Sequence, residues 1–257
     1  AARYDGDHAG GVGQPLNSMH KGEITVKPFD YSKVKDHATY HLLMPLNILL
    51  FNKTMFRVTF VGKENVPKEG GFILASNHIH FLDPLVIAGS KTRVMYFMAK
   101  EELFHNPAAA YFLTRFNAFP VKRGSSDKAS VEYAIRVVKE GNVLGIFPEG
   151  TRSPDYRPGA PKAGVALIAK QAHADVLPVS IYSEHQAKYW TDLTVRFGKM
   201  IPYQELGITE EGGTRELREA SRLIMDRITE LWEEGPCRKS VSYTHLSCRR
   251  RLRCRSR

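Results

Sequence analysis

The stretch GFILASNHIHFLDPLVIAGS (residues 71–90) carries the pattern on which the predicted fold depends. It opens with the continuous apolar run GFILASN, which is typical of a strand buried on both faces of a sheet. It closes with DPLVIAGS, where Asp83 suits a helix N-cap and Pro84 suits the first helical position. The stretch therefore predicts one strand–loop–helix unit, with a polar loop at the carboxyl end of the strand.

The same alternation of strand and helix continues along the chain. Strand patterns recur at residues 56–62, 94–99, 118–121, 142–147, 176–181 and 192–200. Helical patterns lie between them, and the clearest covers residues 126–141, where Ser126 caps the helix and the apolar side consists of Ala129, Val131, Ala134, Val137 and Val138. Strands that alternate with helices predict an α/β domain with a mostly parallel sheet flanked by helices, here over residues 56–236.

The two ends of the chain differ from this body. The formal net charge is +10, but residues 237–257 hold eight Lys and Arg and no acid, which leaves +2 for residues 1–236. All three cysteines lie in the same tail, so the body has neither a disulfide nor a thiol nucleophile, as in a cytosol-facing protein. We expect residues 237–257 to be a translation artefact and residues 1–18 to be a disordered or non-native leader. A balanced body gives no indication of nucleic-acid binding.

Residues 19–55 form a separate N-terminal helical segment in this interpretation. Its apolar part, HLLMPLNILLFNKTMF (residues 41–56), is interrupted by Pro45, Asn47 and Asn52, so it is too broken to span a bilayer. It is predicted to be an amphipathic helix kinked at Pro45. Two roles stay open: contact with a membrane surface, assisted by Lys53 and Arg57, or a cover for the core of the domain.

Three polar segments directly follow predicted strands: NHIHFLD, KRGSSD and PEGTRS. Because the carboxyl ends of parallel strands share one edge of a sheet, we expect these segments to meet in one cleft. The charged and titratable residues of that cleft would be His78, His80, Asp83, Lys122, Arg123, Glu149 and Arg152. A histidine held by an aspartate can act as a general base, and the forked side chains of Arg123 and Arg152 suit a phosphate. Since the body offers no cysteine and no serine in a nucleophile elbow, the base would activate a substrate hydroxyl.

Structural alternatives exist for each of these residues. Asp83 before a proline is an ordinary helix cap, and Glu149 with Arg152 forms an ordinary ion pair in a turn. Arg123 beside a glycine can be a surface residue. His80 can line the pocket or face solvent, and a metal site at His78, His80 and Asp83 lacks a further ligand nearby.

The order of the motifs resembles one protein family. NHIHFLD resembles the N-H-x-x-x-x-D motif of the PlsC-type glycerolipid acyltransferases, which include the 1-acylglycerol-3-phosphate acyltransferases. FPVKRG, FPEGTRS and VLPVSI resemble the second, third and fourth blocks of that family, and the resemblance covers residues 54–200. It implies a glycerol-phosphate acyltransferase-like fold.

The resemblance also implies a role for each matching residue. His78 would be the general base and Asp83 would orient it. The acceptor's phosphate would be bound by Arg123, Glu149, Gly150, Thr151 and Arg152, and Pro178 would shape the acyl side of the site. Lys122 stands where many members carry an acid, which makes the headgroup preference uncertain; it either helps hold phosphate or points to solvent.

The expected reaction moves an acyl group directly from acyl-CoA or acyl carrier protein to 1-acylglycerol 3-phosphate, giving phosphatidic acid. No bound cofactor and no metal are expected. The implied partners are the lysophospholipid acceptor, the acyl thioester donor, acyl carrier protein and the cytoplasmic side of the cell membrane, which the protein would contact peripherally or as a monotopic protein. The alternatives are transfer to another lysolipid such as lyso-ornithine lipid, or a non-catalytic relative that binds lipid or phosphate. A hydrolase would lack its own nucleophile.

Overall fold

A computed structural model of the chain describes residues 29–34, 38–122, 127–184 and 190–237. The chain divides into two compact units, residues 1–30 and residues 31–257. Only Phe29 and Asp30 of the first unit are described. The predictions made for residues 1–18, for Arg123, for Ser126 and for the tail from residue 238 onward therefore lie outside the described residues.

The second unit is built on a seven-stranded sheet. Its strands are β1 (Phe56–Val61), β2 (Phe72–Ser76), β3 (Met95–Lys100), β4 (Ala118–Val121), β5 (Val143–Ile146), β6 (Val176–Ser183) and β7 (Thr191–Phe197). Their spatial order is β1-β7-β6-β2-β5-β3-β4. Neighbours run parallel except β6 and β7, which are antiparallel. The predicted mostly parallel sheet is confirmed, and β2, at its centre, is buried at every position.

Helices flank the sheet, as predicted. They are α1 (Ala38–Asn47), α2 (Asp83–Ala88), α3 (Pro107–Arg115), α4 (Lys128–Lys139), α5 (Gly164–Ala172) and α6 (Thr214–Glu233). In α4 the cap is Asp127, whose carboxylate accepts the N–H of Ser130 at 3.2 Å. The predicted apolar side of this helix was partly wrong: Ala129 is exposed. The buried face instead includes Tyr133, because its ring packs on Phe119 and its hydroxyl donates to a backbone carbonyl.

The N-terminal segment is helical throughout residues 38–55. Helix α1 contains Pro45 and continues directly into a π-helix, Ile48–Met55. One side of this segment covers the domain, where Tyr40 and Met44 pack with Ala88 of α2. The opposite side leaves four leucines at least 46% exposed: Leu42, Leu46, Leu49 and Leu50. Within the part of the chain that the structure describes, no helix has the length and apolar character needed to cross a bilayer.

Candidate active site

The loop after β2 closes around a single carboxylate oxygen. His78 Nδ1 lies 2.7 Å from Asp83 Oδ2, and the same oxygen accepts the N–H groups of Ile79 at 2.7 Å and His80 at 2.8 Å. The Asp83 side chain is 1% exposed and that of His78 is 12% exposed. The predicted pair is therefore assembled, with its histidine within reach of solvent.

The prediction that Asp83 caps α2 was wrong. Leu82 occupies the N-cap position and Asp83 is the first helical residue. Its carboxylate turns back to the loop that precedes the helix, where it accepts N–H groups from Ile79 and His80. The carboxylate therefore organises the loop that carries His78, which a helix cap would not do.

These contacts define which nitrogen of His78 is basic. An ionised carboxylate only accepts hydrogen bonds, so Nδ1 of His78 carries the hydrogen that points to Asp83. Nε2 is then the unprotonated nitrogen of the neutral ring. This is the tautomer that a general base needs.

A stack of rings supports the imidazole. His78 lies on Phe147, with ring centroids 4.1 Å apart and planes inclined by 21°. Phe147 in turn lies against Phe97 of β3, with centroids 6.2 Å apart. Gly145 of β5 makes room for this stack, because a Cβ at that position would overlap the ring of Phe97.

The loop after β5 meets the loop after β2, as predicted from the sheet edge. The Ser153 N–H donates to the carbonyl of His78 at 2.7 Å. The loop turns at Gly150, whose φ of 69° is left-handed and favours glycine. Its two ends are joined by the N–H of Lys162, which donates to the carbonyl of Pro148 at 2.8 Å.

Glu149 lies inside this second loop. It is 5% exposed, and its Oε1 accepts the N–H of Gly159 at 3.1 Å. Burial raises the pKa of the Glu149 carboxyl to about 7, against the opposing effect of backbone hydrogen bonds from Gly159 and His78. Its Oε2 has no hydrogen-bond partner among the described residues. The Glu149 side chain therefore holds the loop together from within.

Arg152 and Thr151 are exposed on the same loop. Arg152 lies close enough to His80 to act on it electrostatically: burial is the main cause that lowers the pKa of His80, and the charge of Arg152 lowers it further, while Asp83 opposes both. His80 Nδ1 accepts the N–H of Leu82 at 3.3 Å. His80 therefore sits between the Asp83 loop and the exposed guanidinium of Arg152.

Of the third predicted segment, KRGSSD, the structure describes only Lys122 and Asp127. The segment follows β4, which is separated from β5 by β3, or about 10 Å at ordinary strand spacing. The side chain of Lys122 is 62% exposed, and its Nζ lies 3.7 Å from Glu101 Oε1. The structure thus brings together the segments after β2 and β5, and Arg123 of the third segment lies outside the described residues.

Pro178 lies in the sheet, away from the pair. It is buried on β6 opposite Ala75 of β2, and its carbonyl accepts the N–H of Gly198 at 2.8 Å. Its ring faces Gly198, where a Cβ would come within 3.0 Å of the proline Cγ. The residue does not line the apolar cavity described next.

An apolar cavity of about 680 Å³ opens beside the loop that carries the pair. Its walls come from α1, α3, β3 and the 78–83 loop, and include Leu43, Leu46, Phe81, Phe97, Phe112 and Leu113. Phe81, between His78 and Asp83 in the chain, is 62% exposed and lines this cavity. Sequence reasoning missed the cavity, because its lining comes from helices and strands that are far apart in the chain and no single stretch of sequence contains it.

No group of three or more His, Cys, Asp or Glu residues is arranged to hold a metal ion in the described ranges. His78, His80 and Asp83 are engaged with one another and with the loop backbone.

The family model described as Acyltransferase matches residues 57–182. The 1-acyl-sn-glycerol-3-phosphate acyltransferase of Bacillus subtilis (strain 168) is 34% identical over 132 residues, which are 51% of this chain and 65% of that protein. The protein of the same name from Streptococcus pneumoniae is 32% identical over 149 residues, 56% of this chain and 54% of its own length. The chain thus spans from about half to just under two thirds of these curated relatives.

A solved structure shares the fold. The crystal structure of the 1-acyl-sn-glycerophosphate (LPA) acyltransferase PlsC from Thermotoga maritima superimposes with a TM-score of 0.62 at 26% identity, over 76% of this chain and 78% of that one. The segment matched by the family model runs from β1 into β6 and contains both loops that meet at the sheet edge, so sequence and geometry define the same acyltransferase domain. Over residues 57–182 the chain matches the acyltransferase family model, and in sequence and fold it is similar to the PlsC-type glycerolipid acyltransferases.

Proposed function

We propose that the protein transfers a fatty acyl group from an acyl thioester to the free hydroxyl of 1-acylglycerol 3-phosphate, giving phosphatidic acid. The observation that carries this proposal is the His78 Nδ1–Asp83 Oδ2 contact of 2.7 Å at the edge of a large apolar cavity. The two relatives above and the Thermotoga structure bear names of this activity.

In the proposed reaction His78 is the general base. Its Nε2 takes the proton from the acceptor hydroxyl as the oxygen attacks the thioester carbonyl. The carboxylate of Asp83 holds the ring in the required tautomer and stabilises the imidazolium that forms. When the carbon–sulfur bond breaks, the same proton passes to the departing thiolate, so the enzyme ends in its starting state.

Direct transfer is supported by the engagement of nearby hydroxyls. Ser76 Oγ donates to the carbonyl of Asn77 at 3.1 Å, and Ser153 Oγ donates to Asp155 Oδ1 at 2.6 Å. Neither hydroxyl is hydrogen-bonded to His78 in the structure. Since a protein nucleophile needs a base within hydrogen-bond reach, the substrate hydroxyl is the better partner for His78.

The phosphate of the acceptor is proposed to bind at the exposed part of the 150–152 turn. Arg152 provides a forked, permanently charged donor there and Thr151 a backbone N–H, while Gly150, whose own N–H donates to the carbonyl of Phe147 at 3.0 Å, forms the turn that presents them. Arg123 belongs to this proposal through the family resemblance, and Lys122 through the positive charge that it adds after the edge strand β4. Glu149 acts from inside, because a buried carboxyl that holds the loop keeps Arg152 near His80.

The apolar cavity is proposed to hold an acyl chain. Its volume is in the range of small-molecule sites, and nearly all of its lining is aliphatic or aromatic. Phe81 belongs to both the cavity wall and the catalytic loop, so a chain in the cavity would end beside His78. The donor would be acyl-CoA or acyl carrier protein.

The exposed leucines of α1 and the π-helix are proposed to contact the cytoplasmic face of the membrane. Leu42 and Leu49 are more than half exposed, Leu46 and Leu50 are exposed at the cavity, and Lys53 follows them. An apolar helix face with flanking cations suits an anionic lipid surface. Such contact would place the cavity near substrate and product, which both reside in the bilayer.

The direct test is an assay of thiol release from purified protein, 1-acylglycerol 3-phosphate and either acyl-CoA or acyl carrier protein carrying the acyl group. We expect release with the wild type and none with His78→Ala, which should still bind lipid vesicles. Lyso-ornithine lipid in a parallel reaction separates the two headgroups. Release no greater than that of His78→Ala with every acceptor would refute a transferase.

A further inference from the structure

Helix α2, which begins with Asp83, is held at its other end by two asparagines from the N-terminal segment. Asn52 Nδ2 donates to the carbonyl of Val86 at 3.1 Å, and Asn47 Nδ2 donates to the carbonyl of Leu85 at 3.1 Å. Both asparagines are buried, with 2% and 5% exposure for Asn47 and Asn52. They lie 38 and 34 residues from their partners along the chain.

The Asn52 bond satisfies a carbonyl that the short helix leaves open, whereas the Leu85 carbonyl bound by Asn47 also accepts the N–H of Gly89 at 3.0 Å. The last four carbonyls of a helix have no partner within it. In a continuing α-helix the N–H of Ser90 would bond to Val86, but it donates to the carbonyl of Ile87 at 3.0 Å. The Asn52 amide therefore acts as a cap for α2 that is supplied by another helix.

The π-helix explains how both amides reach the same partner. Asn47 and Asn52 are five residues apart, which in an α-helix would separate them by about 140° around the axis. The wider π-helical turn bonds residue i to residue i+5, so residues five apart lie on one side. The π-helical turn is thus what allows Asn47 and Asn52 to contact α2 together.

Gly89 provides the space for this contact. A Cβ at Gly89 would overlap Nδ2 of Asn52. The amide oxygens of Asn47 and Asn52 are buried without hydrogen-bond partners among the described residues. A buried unpaired oxygen is destabilising, so what these asparagines contribute is the bond made by each nitrogen.

We propose that Asn47 and Asn52 are positioning residues, which fix α2 and thereby hold the Asp83 carboxylate in line with His78. Val86 is only three residues from Asp83, about 4.5 Å along the helix, so a shift at one end of α2 moves the other. The inference rests on the proposed function for its kinetic readout. It also ties the leucine face of the N-terminal segment to the reacting pair, since both asparagines belong to that segment.

The kinetic test compares Asn47→Leu and Asn52→Leu, which keep size but remove the donors, with Ile224→Val, a core change on α6. We expect each leucine variant to lose roughly tenfold or more in kcat, as misplacement of catalytic groups does, with KM for both substrates within about twofold. Ile224→Val should keep kcat. Leucine variants that retain wild-type kcat while wild type is active would overturn the proposal.

A second arm uses Gly89→Ala. In the wild-type background its methyl group displaces the Asn52 amide, so kcat should fall as in Asn52→Ala. In the Asn52→Ala background the methyl group meets no amide, and no further loss is expected. An equal loss of kcat from Gly89→Ala in both backgrounds would contradict the proposed positioning role of Asn52.

A third readout needs no substrate. The proton shared by His78 Nδ1 and Asp83 should give a downfield proton resonance, identified by its absence in His78→Ala. We expect this resonance to broaden or shift in both leucine variants and to be unchanged in Ile224→Val. If the wild type has no transferase activity, the proposed function fails, and an unchanged resonance in the leucine variants would then separately refute positioning.

Discussion

The Oδ2 atom of Asp83 lies 2.7 Å from Nδ1 of His78 and serves two backbone N–H groups as well. Asp83→Asn should lower kcat by on the order of 10³ because it removes the charge that supports the imidazolium while it preserves shape. Asp83→Ala should in addition destabilise the fold by about 3 kcal/mol, because it leaves buried donors unpaired. Steady-state kinetics and denaturant unfolding of both variants would check this. Equal stability of the two variants would contradict the role of Asp83 Oδ2 as acceptor of the Ile79 and His80 N–H groups.

Arg152→Ala should chiefly raise KM for the phosphate acceptor, by about ten- to a hundredfold, because it removes a charge-assisted contact to the phosphate. The KM for the acyl thioester should stay within about twofold. Arg227→Ala, which removes an equally exposed arginine on α6, is the matched control. If only the thioester KM changed, Arg152 would belong to the donor site.

Glu149 makes stability depend on pH in a predictable direction. Its pKa is raised from 4.5 to about 7 by burial, so the folded protein holds this proton more tightly than the unfolded chain. The protonated carboxyl stabilises the fold below about pH 4.5, and the advantage is lost as pH rises toward 7. At 1.36 kcal/mol for each pKa unit the loss is up to about 3 kcal/mol. Glu149→Gln should remove it.

The measurement for Glu149 is the free energy of unfolding of both proteins between about pH 4 and pH 8. The free energy of unfolding of the wild type should fall relative to that of Glu149→Gln between about pH 4.5 and pH 7, and the two curves should run parallel above pH 7. Curves that stay parallel throughout would show that the carboxyl is not perturbed in the fold.

Replacing Leu42 and Leu49 together by aspartate should weaken binding to anionic vesicles by about tenfold or more, because two exposed apolar groups would become charges at the lipid surface. Activity on acceptor dispersed in detergent should change much less. Vesicle flotation gives the first quantity and thiol release the second. Aspartates at Leu103 and Tyr111, which are 51% and 55% exposed, test whether that region also contributes to vesicle binding. Unchanged flotation of Leu42→Asp/Leu49→Asp would place the contact elsewhere.

The sequence predicted the sheet well because each strand is encoded locally. The apolar run of β2 and the alternating run of β1 need no knowledge of distant residues, and the polar segments after β2 and β5 meet because their strands are neighbours. The same reasoning placed the segment after β4 with them; β3 separates β4 from β5, and residues 123–126 of that segment lie outside the described residues. Strand order is a property of the whole chain, and the local pattern does not contain it.

Long-range contacts account for the other differences. An aspartate before a proline looks the same in sequence whether its carboxylate caps a helix or, as in Asp83, bonds to the preceding loop. Asn47 and Asn52 were interpreted as interruptions of an apolar segment, whereas their nitrogens bond to α2. Glu149 stands in a polar, proline-rich loop, and only the folded loop buries it.

Phe97 belongs both to the wall of the apolar cavity and to the ring stack beneath His78. A substitution of Phe97 is therefore expected to change both the shape of the cavity and the support of the His78 ring. Leu43 of α1 and Leu113 of α3 also line the cavity and take no part in that ring stack. Substitutions of Leu43 and Leu113 are therefore expected to change which acyl chains the cavity accepts. They should leave the ring stack that supports His78 intact.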